Sequence, residues 1–235
     1  MIAAGVLMAT FLLLGLPAAV VLIPWRLATG DILPLYRAAL AIVHTGFRLA
    51  GIRVVVEGVE HIPQDRACVF MSNHISNLDP PVLLPAIPGR ASVFLKQSLM
   101  KIPVLGWAMR LADFIPVRRD GSVQSAQENV RRASLALERG IHIMTFVEGT
   151  RSRDGRLLPF KKGPFYLAME TGAPCVPVTI SGTETMMRKG SLRIFPGVAR
   201  IVFHAPIDSA EFGEREALMT AVRGAIASRL PESMR

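Results

Sequence analysis

The stretch Ser72-Asn73-His74-Ile75-Ser76-Asn77-Leu78-Asp79-Pro80 holds an imidazole and a carboxylate five residues apart. On one regular helix that spacing would set them on different faces, because about 3.6 residues complete a turn. A loop that enters a helix at Asp79 can instead fold the carboxylate back onto the ring. The carboxylate then keeps one ring nitrogen protonated and leaves the other free as a base. The competing roles are an N-cap for Asp79, since Asp followed by Pro80 is a helix-start pattern, and a satisfied core histidine for His74. A second polar stretch is Phe146-Val147-Glu148-Gly149-Thr150-Arg151-Ser152-Arg153, followed by Lys161 and Lys162. Gly149 permits a tight turn with exposed backbone N–H groups. Arg151 offers a planar, permanently charged fork suited to a phosphate. A solvated basic loop is the plainer alternative. A third stretch, Lys96 through Asp120, ends in Phe114-Ile115-Pro116-Val117-Arg118-Arg119. Cations delivered to several strand ends beside one His-Asp pair point to a phosphorylated substrate held against a general base.

The elements that must position these groups alternate short apolar runs with helical patterns, which predicts an α/β fold with a mixed, largely parallel central sheet flanked by helices. Strands are expected at Ile52 to Glu57, Ala67 to Met71, Ala91 to Leu95, Phe114 to Val117, His142 to Val147 and Val176 to Ile180. Most are almost continuously apolar, as strands covered on both faces should be. Both polar stretches follow such strands, and open α/β sheets carry their sites at the carboxyl ends of strands. Leu192 to Phe195 and Ala199 to His204 bracket Pro196-Gly197, a hairpin pattern. Helices are expected at Asp79 to about Ala86, Leu99 to Leu111 (beginning or bending at Pro103), Val123 to Arg139, Phe165 to Glu170 and Glu214 to Leu230.

No charged side chain occurs between Met1 and Trp25. A helix of about 25 residues covers roughly 37 Å against a hydrocarbon core of about 30 Å, so this segment can anchor the chain in a membrane. A signal peptide is the competing reading, but the run lacks a basic leader. Pro17 can kink the run into a re-entrant hairpin. Arg26, Arg37, Arg48 and Arg53 follow, and by the positive-inside rule they set the catalytic part on the cytoplasmic face. Leu33 to Ala50 reads as an interfacial helix with snorkelling arginines, or as a helix buried against the domain. The expected organisation is an anchoring region over 1–50 and a catalytic domain over 51–235. The 235 residues carry 27 Lys and Arg against 18 Asp and Glu, a net charge of +9 that suits anionic partners. Two cysteines, Cys68 and Cys175, exclude a disulfide scaffold or a Cys-rich zinc module. No metal-ligand spacing, Walker loop, nucleic-acid signature or Gly-x-Ser-x-Gly elbow is present in the sequence. His44, His61, His142 and His204 are assigned structural roles.

Four blocks together resemble the glycerolipid acyltransferase family. Asn73-His74-Ile75-Ser76-Asn77-Leu78-Asp79 is similar to its histidine, four residues, aspartate motif, and Phe146 to Ser152 to its glutamate-glycine-threonine-arginine motif. Ile115 to Arg119 is similar to the intermediate arginine motif, and Val176-Pro177-Val178 to the last one. The resemblance implies that His74 is the general base and Asp79 its orienting partner. It implies a glycerol-phosphate site shaped by Asn73, Arg119, Glu148, Gly149, Thr150 and Arg151, with Lys96 and Lys161 at basic positions usually present. It implies acyl transfer from a thioester, acyl-CoA or acyl carrier protein, to the sn-2 hydroxyl of lysophosphatidic acid beside membrane phospholipids, with no cofactor, metal or nucleic acid. The chain departs from the family at Val147 (usually proline), Ser98 (acid), Asp113 (glycine) and Arg118 (aspartate). Rival readings are acylation of another lysolipid, a thioester or lipid hydrolase that activates water with the same pair, and a non-catalytic anionic-lipid binding protein. Product analysis separates the first two from acyl transfer to lysophosphatidic acid, and lipid binding indifferent to His74 marks the third.

Overall fold

The computed structural model describes residues 2–102, 105–117, 122–188, 190–191 and 193–235, with the Lys96 and Leu105 side chains outside that description. The charge-free N-terminal run forms one helical stretch, Ile2–Thr29, long and apolar enough to cross a membrane, and only 6% of its most apolar window is buried. Pro17 does not fold it back. Proline lacks the N–H of an α-turn and crowds the carbonyl four residues earlier. A widened π-turn over Phe11–Gly15, ending two residues before Pro17, takes up that conflict and the helix continues. Gly30, at φ 77°, ends it. Asp31 Oδ1 accepts the Leu33 N–H at 2.8 Å, and Pro34 supplies a preset φ for the next helix, Leu33–Leu49. That helix buries Tyr36, Gly46 and Phe47 and leaves Arg37, His44 and Arg48 exposed. A side chain at Gly46 would come within 3.1 Å of Leu7 and 3.6 Å of Thr10, so the two helices cross where one of them has no side chain. The Leu33 to Ala50 segment is therefore packed on one face and exposes its arginines on another.

Seven strands form the sheet: β1 (Ile52–Glu57), β2 (Val69–Ser72), β3 (Ala91–Lys96), β4 (Ile115–Val117), β5 (His142–Phe146), β6 (Cys175–Ser181) and β7 (Gly197–Phe203). Their order is β1-β7-β6-β2-β5-β3-β4. β2 pairs in parallel with β5 and β6, and β3 pairs in parallel with β4 and β5. β2 is flanked on both sides and all four of its residues are buried, which is why it reads as a continuous apolar run. It begins later than expected, at Val69, because the Cys68 N–H is taken by His142 Nδ1 at 3.0 Å. Helices Asp79–Leu83, Val123–Glu138, Gly163–Thr171 and Arg215–Ser228 connect or follow the strands close to their expected places.

The 99–111 segment follows the alternative of a helix that begins near Pro103: a 3-10 turn covers Gln97–Lys101 and a separate helix Leu105–Leu111, with Pro103 itself outside the described residues. One expectation needs correction. The hairpin around Pro196-Gly197 does not form. Residues 193–196 are not strand, and Leu192 lies outside the described residues. β7 has β1 on one side and β6 on the other, so it offers no free edge to a preceding strand. Gly197 serves close packing rather than a turn: its N–H meets the Gly51 carbonyl at 3.2 Å, and a side chain there would come within 2.7 Å of Met186 Cγ. The chain divides into two compact units. One comprises Met1–Val55, Ile75–Pro88 and Ser181–Ile201, and the other Val56–His74, Gly89–Ile180 and Val202–Arg235.

Candidate functional site

In the second unit, the parallel register Ser72↔Phe146 brings the two polar stretches out of adjacent strands at the same level. The Val147 N–H continues the ladder to the Ser72 carbonyl at 3.0 Å. His74 and Glu148, each two residues past that register pair, then meet: Glu148 Oε1 accepts the His74 backbone N–H at 2.8 Å. Glu148 Oε2 accepts the Leu158 N–H at 3.0 Å, and the side chain is buried. These two bonds to backbone clamp the loop that carries the imidazole. Ser152 closes the other side by donating its N–H to the His74 carbonyl at 2.8 Å, which sets Arg151 one residue away from a direct backbone link to His74. Gly149 turns the chain at φ 68°, and the Lys161 N–H bonds the Val147 carbonyl at 2.7 Å. A side chain at Gly149 would come within 3.0 Å of the Lys161 stem, so glycine is what lets that lysine lie across the turn. Arg151 and the His74 ring are half-buried, whereas Thr150 and Lys161 are exposed.

Asn73 is buried, and its amide acts as a missing rung of the ladder. Nδ2 donates to the Ile180 carbonyl and Oδ1 accepts the Ile180 N–H, both at 2.8 Å. These bonds splice the end of β2 to β6. The sequence reading missed Phe146, whose ring stacks on the His74 imidazole with centroids 4.0 Å apart and planes 21° from parallel. One face of the imidazole is thereby covered, and chemistry is left to the ring nitrogens. It also missed Arg223, on the Arg215–Ser228 helix, which donates to the carbonyls of Leu158 at 2.9 Å and Leu157 at 3.1 Å. Arg223 holds the segment whose N–H holds Glu148, which in turn holds His74. Its signal in the sequence was only a basic residue on an amphipathic helix, indistinguishable from a solvated one.

In the first unit, Asp79 is fully buried, and backbone and side-chain donors converge on its carboxylate. Oδ2 accepts the N–H groups of Ile75 at 2.7 Å and Ser76 at 2.8 Å, and Oδ1 accepts the Thr183 hydroxyl at 2.5 Å. The peptide that follows His74 is therefore wrapped onto this carboxylate, as a loop folding back before a helix start requires. Ser76 Oγ donates to the Met187 carbonyl at 2.8 Å and accepts the Leu78 N–H at 3.2 Å, which stiffens the same turn. Thr183 was not anticipated. Its signal was the polar run Ser181-Gly182-Thr183 at the end of an apolar strand, the same pattern that exposed the other two stretches.

Arg119 and the Lys96 side chain lie outside the described residues. Three histidines have structural partners. His142 accepts from Cys68, His61 Nδ1 lies 3.0 Å from the Phe203 carbonyl, and His204 Nε2 lies 2.8 Å from Thr179 Oγ1. Burial lowers the pKa of His142, and burial, with smaller contributions from Arg229 and His61, lowers that of His204. Burial pushes the thiols of Cys68 and Cys175 up to about 11 and about 12, so both stay protonated and inert. Among the described residues no cluster of His, Cys, Asp and Glu suits a metal ion.

Comparison with known proteins gives a consistent picture. The acyltransferase family model matches residues 53–181. A chloroplastic 1-acyl-sn-glycerol-3-phosphate acyltransferase of Brassica napus is 41% identical over 155 residues, covering 65% of this chain and 44% of that one. The alpha form of the same enzyme from Homo sapiens is 34% identical over 161 residues, covering 68% and 56%. The chain spans about half the length of the curated relatives it matches. The crystal structure of the 1-acyl-sn-glycerophosphate acyltransferase PlsC from Thermotoga maritima superposes with a TM-score of 0.80 at 28% identity, covering 97% of this chain and 92% of that one.

Proposed function

Because this chain belongs to the acyltransferase family, we propose that it transfers a fatty acyl group from a thioester of coenzyme A or of an acyl carrier protein to the sn-2 hydroxyl of lysophosphatidic acid, forming phosphatidic acid. The observation that carries the reading is the backbone bond from Ser152 to His74, which ties the arginine loop to the histidine loop at one sheet edge. A base and a phosphate anchor held that way suit a substrate whose hydroxyl and phosphate are a few atoms apart.

An alcohol is a weak nucleophile near neutral pH. His74 takes its proton as the oxygen attacks the thioester carbonyl, help typically worth about 10²- to 10⁴-fold. Asp79 orients the imidazole and stabilises the imidazolium that forms; the C–S bond then breaks, and the imidazolium returns its proton to the departing coenzyme or carrier thiolate. Arg151, with Arg119, Lys96, Thr150 and Lys161, binds the acceptor phosphate and sets the hydroxyl against His74. Asn73 and Glu148 hold the loop that bears the base. The Ile2–Thr29 helix anchors the enzyme in the bilayer, with the arginines that follow it on the cytoplasmic side. Lysolipid and product then need not leave the membrane, a step that costs about 0.8 kcal/mol per CH₂.

The test is an assay of purified full-length protein with lysophosphatidic acid, other lysolipids, and both kinds of thioester. Phosphatidic acid is expected from the wild type. His74→Ala is expected to abolish its formation at an unchanged melting temperature, and Arg151→Ala to raise KM for the acceptor more than it lowers kcat. Free fatty acid without phospholipid would replace this reading with hydrolysis, and substantial turnover by His74→Ala would remove the general-base assignment.

A further inference from the structure

Within the unit that contains the two N-terminal helices, a cleft of about 400 Å³ opens at the carboxyl end of the Leu33–Leu49 helix. One part of its lining is basic and the other apolar: His44, Arg48 and Arg53 on one hand, Phe47, Ile52 and Val54 on the other. Arg48 follows His44 by four residues, so both leave the same face of the helix. Arg53 comes from the second position of β1. Arg48 and Arg53 are exposed, and among the described residues no carboxylate pairs with either. The surrounding sequence supplies almost none: from residue 26 to 56 there are four arginines and one acid, Asp31, whose Oδ1 already accepts the Leu33 N–H. Guanidinium groups gathered around one cleft repel one another, and an anion among them reverses that sign. The apolar residues beside them suit the glycerol carbons and first methylenes of a lipid. The Leu33–Leu49 helix also packs on the helix that is long and apolar enough to cross a bilayer, where phospholipid is the abundant anion.

We propose that this cleft binds the phosphate headgroup of an anionic phospholipid, with Arg48 and Arg53 pairing to phosphate oxygens, His44 beside them and Phe47 under the glycerol. None of its residues is among those assigned to acyl transfer, so the site holds a lipid that is not being acylated and seats the enzyme on anionic membrane.

The experiment uses the full chain in nonionic detergent without any thioester, titrated calorimetrically with dihexanoylphosphatidylglycerol. Parallel titrations use dihexanoylphosphatidylcholine and inorganic phosphate. Saturable binding of the anionic lipid is expected, weakened about tenfold by Arg48→Gln and by Arg53→Gln, each with a wild-type melting temperature. Arg139→Gln removes an equal charge from an exposed helix end and is expected to change the affinity less than about twofold. Equal losses in all three variants would reduce the effect to diffuse charge and overturn the site. Choline lipid binding as tightly would overturn selection for an anionic headgroup. Inorganic phosphate binding as tightly as the lipid would make this a free-anion site and overturn the lipid assignment. Because no acyl transfer is measured, failure here and failure of the proposed reaction are separate results.

Discussion

Two carboxylates, Asp79 in the first unit and Glu148 in the second, are each buried against backbone donors, and the partners of each decide how it tolerates an amide. Both oxygens of Glu148 accept backbone N–H groups, which cannot turn round. Glu148→Gln must therefore point an NH₂ at one of them, and the lost bond with an orphaned donor costs about 1–3 kcal/mol. Asp79 is different. Its Oδ2 serves two backbone groups, but its Oδ1 faces the Thr183 hydroxyl, which can rotate to accept instead of donate. Asp79→Asn is expected to cost no more than about 1 kcal/mol in unfolding, whereas Asp79→Ala orphans two backbone donors and costs about 2–5 kcal/mol. Urea titrations of the three variants check this order. If Asp79 orients an imidazolium, Asp79→Asn also loses most acyl transfer while it keeps its fold. An unimpaired Asn variant would confine Asp79 to holding the loop.

At the level of elements, two left-handed positions show how turns hold the sheet ends. Gly182, at φ 90°, sits between β6 and the Thr183–Met186 turn, and a side chain there would lie 2.2 Å from the Val198 carbonyl. Backbone cannot yield as a flexible side chain would, so Gly182→Ala is expected to destabilise by more than about 2 kcal/mol and to displace Thr183 from Asp79. Asp113 stands at φ 58°. Aspartate tolerates that conformation better than most residues. Here it is held on both sides: its carboxylate pairs with Arg90 at 2.7 Å, and its carbonyl accepts the Ser92 hydroxyl at 2.6 Å. Asp113→Gly relieves backbone strain but loses a partly exposed ion pair and adds freedom to the unfolded chain. The expected net change is within about 1 kcal/mol, read from thermal unfolding. A β-branched residue at 113 keeps the strain without the pair and is expected to lower the melting temperature clearly.

For the whole molecule, buried His142 and half-buried His204 make stability sensitive to acid. His142 and His204 are held neutral in the fold, with pKa values below the ordinary 6.5. Above that value neither state binds the proton and no stability is lost. As pH falls through about 6.5 the unfolded chain takes up protons that the folded one refuses, so stability declines toward the depressed folded values. The melting temperature is expected to fall between pH 7.5 and 5.5, and to fall less in His142→Gln. An identical slope in that variant would assign the acid sensitivity elsewhere. At the same scale, loss of residues 1–25 is expected to weaken recovery with vesicles in flotation, since the most apolar surface lies on that helix.

Much of this architecture is local in origin, and local patterns were readable along the chain. Continuous apolar runs marked the buried strands β2, β5 and β6, because a strand covered on both faces has no use for alternation. Polar clusters after those runs marked the ends of strands, and Asp79-Pro80 marked a helix start. What the chain could not display was pairing between distant segments. That β7 has a neighbour on each side, which cancels a hairpin at Pro196-Gly197, depends on the order of strands rather than on any turn residue. That Asn73 spends its amide on Ile180 and Glu148 on the His74 and Leu158 backbones is likewise a matter of which chain ends arrive together. Hydrogen-bonding groups buried at a strand end must find partners, and which partners they find is settled only when non-adjacent strands align.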